Sequence, residues 1–222
     1  MIKTYIAHCT SLVSRKKFQL LQLKQQGFDN IEFYEDYDGN RLNEDIINQY
    51  YDRNLENQYS RYSMWFPGER TRVLRNSEIS LAIKHIEIYK KIANGSDPYA
   101  LILEDDSVLC DNFLHKFEQY MLQVPSDFDM IFVSDGCNLK SNNIQEGKYV
   151  YRKEHPATRC TGAFVVTKKA CQELLTTLIP FTLPIDWELN YQLYIHKHNV
   201  YWFEPALVKQ GSEIGLFQSS VR

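Results

Sequence analysis

The chain has 222 residues, 44% of them hydrophobic and 24% charged, with a formal net charge of −3. That is ample for a buried core, while the absence of a long basic block excludes the phosphate-neutralising footprint of a nucleic-acid binder. No apolar run approaches the ~20 residues of a membrane span, and the first residues lack a signal-peptide core.

Five cysteines, none spaced as CxxC, argue against zinc clusters and dense disulfides and for a reducing compartment. The expected location is cytoplasmic, with peripheral contact to a membrane left open. Aromatic residues reach 14%, including 15 Tyr, which suits a binding cleft and a Tyr-rich core equally.

In chain order, "KTYIAHC" predicts a strand and Ser14 to Gln26 a helix, with Phe18 and Leu21 on its apolar face and Gly27 as its stop. "IEFYED" predicts a second strand, entering the turn "YDGN". This β-α-β opening points to a parallel sheet. Residues 41 to 76 are polar and rich in Asn and Tyr; they read as a helix and then an irregular excursion with Pro67 and Gly68.

From Ser77 a periodic helix places Ile79, Ala82, Ile83, Ile86 and Tyr89 on one face. "YALILEDD" follows as a strand apolar on both faces, as in a covered parallel sheet. Asp111 is placed to cap a helix with the stripe Phe113, Leu114, Phe117, Tyr120 and Met121. "DMIFVS" predicts another buried strand, and residues 135 to 158 a polar, exposed insertion. "TGAFVVT" reads as a strand whose last residue, Thr167, caps the helix "KKACQELLTTL". "FTLPIDWELNYQLYIHKH" gives a loop and a helix, and "VYWFEP" a last strand; the tail shows no periodicity. One α/β domain over residues 1–222, with a mostly parallel central sheet flanked by helices, is the expected architecture.

The chemistry concentrates at Glu104, Asp105 and Asp106, where a buried strand ends. In open α/β sheets ligands bind outside the carboxyl ends of strands. Alternation sends Glu104 and Asp106 one way and Asp105 the other. Such a pair is a hard-oxygen site for Mg²⁺ or Mn²⁺, or else a set of solvated acids favoured by the next helix's dipole.

"LILEDD" resembles the acidic motif of nucleotide-sugar-dependent glycosyltransferases of the GT-A type, and more narrowly of glycosyltransferase family 25, which includes lipooligosaccharide and collagen galactosyltransferases. "SRKKFQLLQLKQQGF", "YEDYDGN", "SEISLAIKHIEIYKKI", "TGAFVVTKKACQELL" and "PIDWEL" are similar, in order, to further segments of that family. Ser77 and Lys84 depart from its pattern, where Gly and Ser are usual; Glu78 and His85 keep it.

The resemblance implies inverting transfer of a sugar, galactose being favoured, from a UDP-sugar to a hydroxyl of a saccharide or protein. It implies a divalent metal held by Asp106 with Glu104 or Asp105 assisting, and a ribose contact at Glu104. Ala7, His8 and Thr10 after the first strand, with Asp36 and Asp38, are expected around the uridine, and Arg15 or an arginine of "ERTRVLR" at the diphosphate. Glu78 and His85 are candidate donor contacts, and Gln210 and Ser212 candidate site-loop residues.

Asp186 is the first choice for the general base and Glu188 the second, although Asp186 also fits a helix N-cap and Glu188 a dipole partner. His196 and His198 suit a helix end better than a metal. Trp65 is a candidate acceptor platform, with Trp187 and Trp202 expected in the core. The alternative is a catalytically idle relative of the same fold, serving as a binding or scaffold protein. A phosphoryl-transfer enzyme is disfavoured, because "AHCTSLVS" offers neither a phosphate loop nor an aspartate after the first strand.

Overall fold

The computed structural model describes residues 2–68, 70–136, 139 and 145–220. Its centre is a seven-stranded sheet in the order β2-β1-β3-β7-β5-β8-β6, formed by β1 (Thr4–Ala7), β2 (Ile31–Tyr34), β3 (Tyr99–Glu104), β5 (Met130–Phe132), β6 (Val150–Lys153), β7 (Ala163–Thr167) and β8 (Val200–Phe203). β1 runs parallel to β2 and β3, and β5 parallel to β8. β7 lies antiparallel between β3 and β5, and β6 antiparallel to β8 at the edge.

The sheet is therefore mixed, which corrects the mostly parallel expectation. "AFVVT" is covered on both faces, so its uniform apolarity carries no mark of direction. β3 shows the same two-sided burial: Ala100 and Ile102 enter one core, Leu101 and Leu103 the other.

The first core is closed by α4 (Asn76–Asn94), α6 (Lys168–Leu174) and α7 (Ile185–Ile195), the second by α1 (Val13–Gln25) and α5 (Phe113–Met121). All five residues named for the face of α4 are buried. α1 departs from expectation: it docks through Arg15, Gln19 and Leu23 and leaves Leu21 57% exposed. Its glutamines do the joining, with Gln19 Nε2 donating to the carbonyls of Asp105 (3.1 Å) and Ser107 (2.7 Å). Gln22 and Gln26 accept from the backbone N–H of Leu109 and Phe113.

Residues 41–76 hold two helices, α2 (Glu44–Tyr50) and α3 (Leu55–Tyr62), before the irregular stretch. Asn43 and Asn54 cap them, accepting from Ile46 N–H and from the N–H groups of Glu56 and Asn57. Part of the Asn richness is thus cap chemistry. Thr167 caps α6 as expected, but the residue before α5 is Asn112 in a left-handed conformation, not Asp111.

The insertion expected at 135–158 contains β6, a sheet strand; residues 137, 138 and 140–144 of it lie outside the described residues. The tail also contributes: β9 (Val208–Gln210) pairs antiparallel with β4 (Ser107–Leu109). Gly211 N–H then donates to the Asp106 carbonyl at 2.8 Å. A Cβ at Gly211 would sit 2.7 Å from that oxygen, so the approach requires glycine. No helix among the described residues is long and apolar enough to cross a membrane.

Candidate active site

β1 and β3 end side by side, with Ala7 opposite Glu104, and the three acids leave the sheet there. The expected alternation holds. Asp105 turns inward: Oδ2 accepts from His8 Nδ1 (2.9 Å) and Cys9 N–H (3.2 Å), and Oδ1 from Arg15 (2.6 Å). Burial opposes its charge, but the His8 and Arg15 hydrogen bonds prevail and hold its carboxyl below the usual range. Arg15 also donates to the Gln218 carbonyl and packs over the Phe217 ring, so the tail closes over it.

Glu104 and Asp106 go the other way. Glu104 accepts from Thr161 Oγ1 at 2.6 Å and lies 3.5 Å from His85 Nε2. Asp106 is 3% exposed; Oδ2 accepts from Ser212 N–H at 3.3 Å, while Oδ1 has no hydrogen-bond partner. Burial, and then the charge of Glu104, push the Asp106 carboxyl up. An orphaned carboxylate oxygen beside a second acid is a donor set that a hard divalent cation relieves, so these residues fit the metal the acidic motif implies.

Two cavities meet here, about 450 and 820 Å³ in volume, sharing Leu81, Glu104, Gln210, Ser212 and Ser219 in their walls. The smaller is lined by Ala7, His8, Arg15, Asp105 and Asp106. The larger is lined by Tyr62, Arg70, Glu78, Thr161, Asp186 and Trp187. Asp186 stands in the first turn of α7, where the N-cap position is Pro184, and its Oδ1 accepts from the first-turn N–H of Trp187 at 3.0 Å. Burial pushes its pKa up to about 6, with the charge of Glu104 adding to the rise and a hydrogen bond from Trp187 N–H opposing it.

Other candidates are placed elsewhere. Glu188 is fully buried and accepts from the N–H groups of Thr182 and Leu183, from Gln192 and from the Arg61 guanidinium; it lines neither cavity. Asp36 is exposed, and Thr10 and Asp38 stand behind the smaller cavity, with Thr10 N–H and Lys84 Nζ (2.9 Å) both donating to Asp38. His85 is buried, stacked on Phe164 and outside both cavities. Glu78 reaches the larger cavity wall but is held by Arg72 and by Arg75 N–H, which lower its pKa against the cost of burial. Trp187, expected in the core, lines the larger cavity and meets Phe66 edge-on; Trp65 packs against Tyr194, and Trp202 is buried as expected.

Local sequence pattern does not mark Thr161, Lys84 or the tail Phe217–Ser220 as site elements. A lysine within the apolar period of α4 was the one visible signal, since a buried ammonium requires an anionic partner. A separate group of metal-ligating side chains, Asp129, Glu173 and His198, places one donor atom each within 4.8 Å of the others. It lies at the opposite end of the sheet, before β5 and β8; His198 stands just past the end of α7, as expected, with its N–H donating to the Leu193 carbonyl at 3.0 Å.

A 21% identical relative over 214 residues is the "Procollagen lysyl hydroxylase and glycosyltransferase" of Acanthamoeba polyphaga mimivirus; the match covers 91% of this chain and 22% of that protein. The chain thus spans about a fifth of that relative's length. Among solved structures, an inositol-1-phosphate CTP transferase from T. maritima is 14% identical with a TM-score of 0.47, covering 100% of this chain and 93% of the other. Galactosyltransferase LgtC, solved with donor and acceptor sugar analogs, is 12% identical with a TM-score of 0.46, covering 90% and 73%. The sequence model of "Glycosyltransferase family 25 (LPS biosynthesis protein)" matches residues 1–188, from β1 through the acidic turn to the start of α7. On that match the chain, with its α/β arrangement around a mixed sheet, belongs to glycosyltransferase family 25.

Proposed function

We propose that this protein is an inverting glycosyltransferase that transfers a hexose, galactose being favoured, from a UDP-sugar to a hydroxyl of a saccharide or protein. The observation that carries this reading is the seam between the two cavities. Glu104 is shared by both, Asp106 stands in the smaller, and the half-buried Asp186 stands in the larger. The smaller cavity suits the nucleotide and the larger the acceptor.

Asp106, with Glu104, would hold Mn²⁺ or Mg²⁺, which supplies compensation for negative charge on the departing diphosphate. Asp105 has a different task. Through His8 and Arg15 it fixes the turn from which the other two acids project.

Asp186 accepts the proton of the acceptor hydroxyl. That oxygen forms the new bond to the anomeric carbon as the bond to UDP breaks, and the electron pair leaves with UDP. A pKa of about 6 suits this task, since the group is ionised at neutral pH yet basic enough to take a proton. Trp187, Tyr62 and Phe66 offer aromatic surface beside it on which a sugar ring can pack.

The test is UDP release across a panel of UDP-sugars with Mn²⁺ and then with EDTA, alongside a thermal-shift assay. Release with one sugar, abolished by EDTA, is the expected result. No response to any UDP-sugar would sink the proposal and favour the idle relative; release insensitive to EDTA would remove the metal role of Asp106.

A further inference from the structure

The end of the sheet remote from the acidic turn carries chemistry that the transfer reaction does not use. Asp129 immediately precedes β5, His198 shortly precedes β8, and Glu173 projects from α6. The His198 side chain is 1% exposed, and neither ring nitrogen makes a hydrogen bond. Its Nδ1 lies between two carboxylates, 3.3 Å from Asp129 Oδ2 and 3.6 Å from Glu173 Oε2, within ion-pair reach of both but without a well-formed hydrogen bond to either.

The other two carboxylate oxygens are held from outside. Lys169 Nζ lies 3.4 Å from Asp129 Oδ1 and 3.7 Å from Glu173 Oε1. One cation therefore orients the outer oxygens while the inner pair faces a buried imidazole. Asn199 N–H fixes Asp129 Oδ2 as well, at 2.9 Å, leaving that oxygen a second lone pair.

We propose that Asp129 Oδ2, Glu173 Oε2 and His198 Nδ1 form a binding site for a zinc-class divalent ion. Three arguments support that class. Bonds of about 2.0–2.1 Å to nitrogen and oxygen in tetrahedral geometry separate neighbouring donors by roughly 3.3–3.4 Å, close to the 3.3 and 3.6 Å from His198 Nδ1 to the two carboxylates, which lie within 4.8 Å of each other. A nitrogen donor favours zinc-like ions over Mg²⁺ or Ca²⁺, which prefer all-oxygen shells. The supports from Lys169 and Asn199 are of the kind that orient metal ligands.

His198 also lines a cavity of about 570 Å³ together with His155, whose Nδ1 is likewise buried and unpartnered. The ion would pin α6 to the entry of β5 and β8, a structural role at the far end of the sheet from the proposed reaction.

The site is tested on untagged, EDTA-stripped protein with Zn²⁺ alone and no nucleotide, by calorimetric titration and thermal shift. Co²⁺ serves as a spectroscopic probe, giving intense visible bands when tetrahedral. One equivalent of zinc and a raised Tm are expected. Glu173→Gln, on a part-exposed helix position where folding is not at stake, should weaken zinc binding by at least ~100-fold, since even outer partners of a ligand are worth 10–100-fold. Asp106→Asn should leave it unchanged. An unchanged Tm with no calorimetric heat for the native protein, or full zinc affinity retained in E173Q, would overturn the proposal. Loss of zinc binding in D106N would transfer the ion to the acidic turn and overturn it too.

Discussion

Asp186, the proposed base, illustrates how its surroundings tune a single carboxyl. Desolvation lifts its pKa from 3.8 to about 6, so the folded protein prefers the neutral acid. The contribution of this group to stability is therefore greatest below about pH 4 and is lost as the pH rises towards 6 and beyond. Catalysis runs the other way, because only the carboxylate is a base. The kcat/KM profile should rise with pH through about 6, and Asp186→Asn should lower kcat by roughly 10²–10⁴-fold, the usual worth of a positioned base. Its Tm at pH 7 should not fall, as the substitution removes a charge that folding disfavours. Wild-type turnover in D186N, with the same pH profile, would take the base role away from it.

At the scale of the element, the end of β3 divides three adjacent acids between structure and chemistry. Asp105 is paired with Arg15 and hydrogen-bonded to His8, whereas Asp106 is left with an orphaned oxygen next to Glu104. The lowered pKa of Asp105 contributes stability above the ordinary carboxylate range, lost as pH falls through the lowered value. Asp105→Asn leaves a buried guanidinium without its anion and should cost roughly 3–5 kcal/mol, a fall in Tm of about 2–4 °C for each kcal/mol. Asp106→Asn relieves like-charge repulsion, so Tm should hold or rise while the response to UDP and Mn²⁺ disappears. Thermal melts of the two variants distinguish these outcomes; equal losses of Tm would contradict the division of labour.

α1 shows a related limit at the same scale. Its apolar period selected Leu21, yet the side chains that dock are a buried arginine and glutamines bonded to the backbone after the acids. Hydrophobic periodicity has no means of finding a polar interface satisfied by carbonyls.

For the whole molecule, the antiparallel placement of β7 separates two candidate ion sites. Glu104 N–H bonds Gly162 at one end of β7, and Asp129 accepts through its backbone from Thr167 at the other. The five strand steps of about 3.3 Å from Gly162 to Thr167 place the two ends roughly 16 Å apart. Contributions at that range are expected to add within about 0.3–0.5 kcal/mol. UDP with Mn²⁺ at 100 times its Kd should stabilise by about 2.7 kcal/mol, and E173Q, which lacks a zinc ligand, should retain that gain. A gain lost in E173Q would mean that the two ends of the sheet are coupled.

By itself, the sequence determined the order of most elements, the core face of α4, the acid cluster at a strand end and the family, because burial, caps and motifs are written in local pattern. Only the tertiary structure decided the direction of β7 and the pairing of β9 with β4. It also decided which acid is paired, that Glu188 is saturated while Asp186 is left in a cavity, and that His198 meets Asp129 and Glu173. Those outcomes depend on contacts between residues distant in the chain, and a carboxylate's role follows from the charges and dipoles that surround it. "LILEDD" announced a site; the folding of Arg15, His8, Ser212 and Asp186 around it assigned its parts.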